Sequence, residues 1–470
     1  MLFSSLTFLY AFLPLLLITY FLFSNSKVRK ATLILFSLFF YAWGEPIYIF
    51  LMLMVVTMNY FFGLIISDAK SDKRKKLILI FGVAFNIVIL SIFKYSGLII
   101  RTINYIPFIN IKEINLRLPL GISFYIFQAM TYIIDVYRNE CRVQEKYSSL
   151  LLYITFFPQL VAGPIVKYNE IENELENREV NIDDIFSGFG RFSIGLAKKV
   201  LLANNLGKVA DILLNVNNFS YLSIWIGMIY YLLQLYFDFS GYSDMAIGLG
   251  RVFGFHYLEN FNYPYISKSI KEFWRRWHIS LSSFFREYVY IPLGGKYHFQ
   301  YRNILIVWAL TGLWHGANWN FCLWGLYFAV ILIFENIISG MKLKIIDSMN
   351  IIIKSALSHI YTVVLLIIGF ILFYFEKFSQ IIFAYQNMFL FNNDKVNFIV
   401  LSTIRENIII LIISIIVSTP IINKISILSS KMFSEKLIIY IKYFIMIVLF
   451  VVSTISIIGD SYNPFLYFRF

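Results

Sequence analysis

Apolar residues run in long blocks along this chain, and polar residues gather in short segments between them. Runs at about 3–23, 47–67, 77–95, 118–137, 184–206, 221–237, 355–375, 406–423 and 437–458 approach or exceed the roughly 20 residues that carry a helix across a bilayer. A shorter run covers about 31–44. The loops SKVRK at 26–30 and KSDKRKK at 70–76 are basic, as is the one marked by Lys424, Lys431 and Lys436. Short Lys/Arg-rich loops stay on the cytoplasmic side, so the first run begins outside and the early spans alternate consistently.

Three stretches break this regularity. Residues 149–166 are apolar but carry Pro158, Gly163 and Pro164, with charged flanks at 138–146 and 167–184. A re-entrant segment satisfies both flanks, because irregular backbone at that depth is tolerated only when buried in protein or lining a cavity. Residues 255–302 are amphipathic and basic and are expected in the cytoplasm. Residues 303–338 are apolar between basic flanks, the far one being Lys342 and Lys344. If both flanks are inside, the chain turns within the membrane near Trp314, His315 and Gly316. Residues 303–313 rise only about 16 Å as helix, roughly half the hydrocarbon core, which puts His315 near mid-depth. Residues 101–117 lie outside or along the interface.

The reading is an all-α polytopic membrane protein of about eleven spans plus re-entrant pieces. Residues 1–470 form a single unit, with N-terminal helices to 117, a motif-bearing core at 118–338 and C-terminal helices from 339. Hydrophobic residues make up 59% of the chain and charged residues 14%, against about 25% in soluble domains. Mean hydropathy is +0.72. The net charge of +13 sits in loops between spans, so it speaks for membrane orientation and not for nucleic acid. Cys141 and Cys322 have no metal-ligand spacing and imply neither a disulfide framework nor a metal site. The first apolar run lacks a basic leader and reads as a retained helix. No internal repeat is visible, which argues against transporters built from duplicated halves.

An ionisable residue at membrane depth is a functional candidate by default, and His315 in TGLWHGANWNF is the foremost one. Trp314 and Trp319 flank it, and Asn318 supplies a donor and an acceptor. A neutral imidazole there either packs helices together through a hydrogen bond or removes a proton from an attacking hydroxyl. The second constellation is EFWRRWHISLSSFFR at 272–286. Lys271, Arg275, Arg276 and Arg286, interleaved with Trp274 and Trp277, suit either the phosphates of an anionic donor or lipid headgroups. His278 is a second catalytic group or a donor-site hydrogen bond. Asp238 and Asp244 orient a His, pair with basic residues, or belong to a proton or cation path. Gln128 and Ser123 are polar groups in an apolar run.

Together the segments PLGISFYIFQAMTYIIDVYR, FFPQLVAGPI, YFDFSGYSDMAIGLGRVFGF, NFNYPY, EFWRRWHISLSSFFREYVYIPLGG, GLWHGANWNFCLWG and the terminal NPFLYFRF resemble the membrane-bound O-acyltransferase family. The subgroup they are most similar to is the bacterial O-acetyltransferases of alginate and other exopolysaccharides. The resemblance implies a helical ring around a tunnel in a bacterial cytoplasmic membrane. It places the family's catalytic His at His315 and its second position at His278. It also implies a cytoplasmic thioester donor (acetyl-CoA or an acyl carrier protein), a polysaccharide acceptor on the far side, and an extracytoplasmic SGNH or esterase-like partner. No cofactor is implied. Related members transfer D-alanine toward teichoic acid.

Overall fold

The computed structural model describes residues 1–112, 116–340, 350–389, 397–460 and 462–464. Lys342, Lys344 and residues 465–470 of the terminal motif lie outside the described residues. All regular elements among the described residues are helices. Seven are long and apolar enough to cross a membrane: Tyr48–Asp68, Asp72–Ile103, Tyr221–Val252, Trp319–Gly340, Ile351–Tyr374, Phe398–Val417 and Glu435–Gly459. Other expected spans form helices that are shorter or more polar, such as Phe8–Leu22, Ser26–Gly44, Ile122–Arg138 and Ile182–Ala197. Ile122–Arg138 is buried along most of its length. Such a helix keeps polar side chains because its neighbours, and not lipid, surround it.

Tyr221–Val252 is the hub. Of its most apolar window 78% is buried, against 17% for Glu435–Gly459, whose apolar side chains face outward. The hub approaches Ile182–Ala197 through glycine. A Cβ added at Gly195 would lie 2.5 Å from the Gly241 carbonyl oxygen, and one at Gly248 would lie 2.5 Å from that of Gly188. Small residues repeated on one helix face let backbones touch, which replaces the hydrophobic drive that lipid removes.

The three irregular stretches are the most informative part of the fold. Residues 149–166 form the short helices Tyr147–Thr155 and Phe157–Leu160, followed by buried non-helical chain. Side chains satisfy its exposed backbone: Phe157 N–H donates to Ser37 Oγ at 3.2 Å, Ile165 N–H to Ser280 Oγ at 3.1 Å, and Tyr153 O–H to the Val166 carbonyl at 2.8 Å. The basic segment is not one amphipathic helix. It breaks into Ile270–Arg276 and Ile279–Phe285, with His278 between them in the left-handed region at φ 45°. Residues 303–338 form a hairpin of Gln300–His315 and Trp319–Gly340, turning at Gly316 as the basic flanks require. The hairpin closes on glycine too. A Cβ at Gly312 would strike the Phe321 carbonyl, and one at Gly325 the Trp308 carbonyl.

Gly195→Leu or Gly248→Leu forces the hub and its neighbour apart. Overpacking of this kind costs about 1–3 kcal/mol, so each variant in detergent should melt several degrees below wild type. Gly340→Ala, where nothing lies within 4 Å among the described residues, should melt with wild type. Indistinguishable melting of all three would show that the glycine contacts do not hold this pair together.

Candidate active site

His315 is the last residue of its helix and is only 2% exposed. Its ring centroid lies 4.9 Å from Trp314, 5.0 Å from Trp324 and 5.3 Å from Phe373. The glycine-closed hairpin brings Trp324 across, and Ile351–Tyr374 brings Phe373. An aromatic box therefore fixes the ring plane.

His278 is equally buried. Its ring stands 4.6 Å from Phe239 and 5.7 Å from Trp314, so Trp314 touches both imidazoles. Asn260 orients it. The Asn260 amide Nδ2 donates to Ser243 Oγ at 3.0 Å, while its Oδ1 accepts from Ser280 N–H at 3.1 Å and Ser280 Oγ at 3.0 Å. These contacts leave Oδ1 as the atom facing His278 Nδ1, 3.2 Å away. Only the Nδ1–H tautomer donates to it, which puts the lone pair of the neutral ring on Nε2.

Both imidazoles line a cavity of about 1180 Å³. Trp274, Trp277 and Thr311 form apolar and hydroxyl wall, and Lys271, Arg275, Arg286 and Lys296 supply positive charge. Lys271 Nζ also donates to Asn336 Oδ1 at 3.1 Å. The predicted basic residues thus divide. Arg276 does not line the cavity; it pairs with Glu272 at 2.9 Å and donates to the Asn262 carbonyl at 3.1 Å. Burial would raise the Glu272 carboxyl, but the Lys268 backbone N–H and the Arg276 guanidinium outweigh it and hold the group below its ordinary value.

The other sequence candidates sit apart from the cavity. Asp238 on the hub pairs with Lys199 at 2.7 Å, both buried; Lys199 lies just beyond Ile182–Ala197, the neighbouring helix. Asp244 pairs with Arg191 at 2.9 Å and Lys198 at 2.6 Å, and Arg191 continues to Glu259. Neither carboxylate lines the cavity, so of the alternatives open from sequence the ion pair is the one observed. Gln128 is fully buried on Ile122–Arg138, and its side-chain amide has no hydrogen-bond partner among the described residues. Asn318 lies in the hairpin turn beyond the cavity wall and gives its carbonyl to Phe321 N–H at 3.2 Å.

Three residues at the site were not singled out from sequence. Asn260 and Ser243 orient His278, as described. Lys94 is 7% exposed and donates to Ser123 Oγ at 3.0 Å and to the Trp314 carbonyl. A lone lysine inside the apolar run 77–95 was a usable signal. Asn260 opens the NFNYPY segment that contributes to the family resemblance, but its part at His278 shows only once its partners are seen.

Comparison with known proteins identifies the family of the chain. The sequence profile of the membrane-bound O-acyltransferase family matches residues 36–345. A protein named probable alginate O-acetylase from Azotobacter vinelandii is 38% identical over 405 residues, covering 84% of this chain and 79% of that protein. A peptidoglycan O-acetyltransferase of Helicobacter pylori is 38% identical over 367 residues, covering 71% of this chain and 70% of its own. A teichoic acid D-alanyltransferase of Bacillus subtilis is 32% identical over 234 residues, covering 46% and 59%. With the apolar helices already described, these matches show that the chain belongs to the membrane-bound O-acyltransferase family and is an acyltransferase integral to the membrane.

Proposed function

We propose that this protein takes an acetyl group from a cytoplasmic thioester, acetyl-CoA or an acyl carrier protein, and passes it across a bacterial cytoplasmic membrane to O-acetylate a surface polysaccharide. The observation that carries the reading is a single cavity with two buried imidazoles and a basic, aromatic lining. Lys271, Arg275, Arg286 and Lys296 suit the phosphates of CoA or of a phosphopantetheine arm. Trp274 and Trp277 suit the uncharged part of the arm. The long relatives at 38% identity bear O-acetylase and O-acetyltransferase names, whereas the D-alanyltransferase matches under half of the chain. Acetyl is therefore favoured over D-alanyl.

In this mechanism the acceptor hydroxyl approaches the thioester carbonyl beside His315. The imidazole takes the hydroxyl proton as the oxygen attacks, and a C–O bond forms. The tetrahedral intermediate collapses, the C–S bond breaks, and the thiolate leaves and is protonated from the imidazolium. His278, held with Nε2 as its lone-pair nitrogen, serves as the second polar group facing the reacting atoms. An extracytoplasmic SGNH or esterase-like partner would receive the acetyl group and hand it to the polymer.

His315→Ala should lower alkali-releasable acetate on the cell surface at least 100-fold at matched membrane expression. Retention of the acetate would remove His315 from the mechanism. Arg275→Glu with Arg286→Glu should raise the donor KM about tenfold or more in purified protein, with kcat changed less, whereas Arg276→Gln should leave KM within twofold. A KM that responds to Arg276 and ignores the other two would move the donor site elsewhere. Asn260→Ala, by freeing the His278 tautomer, should lower kcat about tenfold at unchanged KM. Steady-state thiol release reads that split, and an unaltered kcat would deny Asn260 its orienting part.

A further inference from the structure

The end of the His315 helix poses a problem that the family reading does not address. Gln300–His315 stops inside the bundle, so its last carbonyls point away from any continuing helix and must find donors in protein. They find them on one neighbour. Within Asp72–Ile103, Lys94 Nζ donates to the Trp314 carbonyl and Tyr95 O–H to the Leu313 carbonyl at 3.0 Å. About two turns further on, Arg101 donates to the Ala317 carbonyl at 3.2 Å, and Thr102 Oγ1 accepts from Trp319 Nε1 at 3.3 Å. The neighbour is locally a π-helix at Ser91–Tyr95, and such a bulge rotates the following side chains relative to an α-helix.

We propose that Lys94 is the positioning residue of His315, an ammonium that caps the C-terminal end of the catalytic helix and fixes where the imidazole stands in the cavity. A cation there meets the negative end of the helix dipole. Its second bond, to Ser123 Oγ at 3.0 Å, ties the cap to Ile122–Arg138. Its charge lies 5.6 Å above the centre of the Trp314 ring, the ring that contacts both imidazoles. Removing the ammonium leaves a buried carbonyl without a donor, a defect the helix end relieves by shifting. A shift of about 1 Å at a reacting group costs on the order of 100-fold in rate.

This inference rests on the proposed role of His315, and the test separates the two. Full-length wild type, Lys94→Met, Lys94→Arg, Ser123→Ala and His315→Ala are compared in nanodiscs. Turnover is read as thiol release from acetyl-CoA. The seating of His315 is read without any donor, as its carbethoxylation rate by peptide mass spectrometry, with His298 as internal control. Lys94→Met should lower kcat at least 30-fold with KM within threefold, and change the His315 labelling rate threefold or more against His298. Lys94→Arg should recover part of both. Ser123→Ala keeps the lysine but frees it, and should give an intermediate loss; it decides the matter if Lys94→Met does not fold. Wild-type labelling and turnover in Lys94→Met, or in Ser123→Ala where the first is unfolded, overturn the capping role. Full turnover in His315→Ala overturns the catalytic reading, while the labelling ratio still judges Lys94.

Discussion

Everything at the centre of this molecule follows from one constraint: a helix that ends inside a membrane must have its terminal carbonyls satisfied by other protein groups. The His315 helix ends among buried protein groups because the chain turns back at Gly316. The carbonyls of Leu313, Trp314 and Ala317 are taken up by Tyr95, Lys94 and Arg101 on one neighbouring helix. A lysine buried at such a place is costly, and here its amine donates to the Trp314 carbonyl at a helix end and to the Ser123 hydroxyl.

The same rule explains why the irregular segments converge. The non-helical chain after Leu160 gives its Ile165 N–H to Ser280 Oγ, and Ser280 in turn donates to Asn260, the residue that faces His278. The break at His278, the re-entrant strand of chain and the hairpin turn therefore satisfy one another around one cavity. His278 is presented at a break between two short helices and His315 at the last position of its own helix, so both imidazoles stand at helix ends and not along a helix face.

Charges elsewhere are held differently. Asp238 with Lys199, and Asp244 with Arg191 and Lys198, are paired between the hub and the neighbouring helix, away from the cavity. Neutralised in place, they stitch helices together. Lys271, Arg275, Arg286 and Lys296, which form no ion pair among the described residues, line the cavity beside tryptophan, where an anionic ligand would supply the opposite charge. Glycine at the hub and in the hairpin sets the distances, since backbones in contact leave no slack for the rings packed around His315.

Sequence alone determined the class of molecule, marked His315 as an ionisable residue in an apolar run and predicted that the chain turns beside it. Those conclusions rest on hydropathy and loop charge, which the bilayer reads locally, residue by residue. The motif at 272–286 announced its tryptophans, arginines and His278 for the same reason. It could not show that Arg276 turns back to Glu272 while Arg275 faces the cavity, because that depends on where the Ile270–Arg276 helix lies against its neighbours. Nor could it join Asn260 to His278 across 18 residues, or Lys94 to Trp314 across 220. Hydrogen bonds between distant segments leave no period in the sequence. They exist only once packing has put a donor within about 3 Å of its acceptor, and that was decided by the tertiary structure.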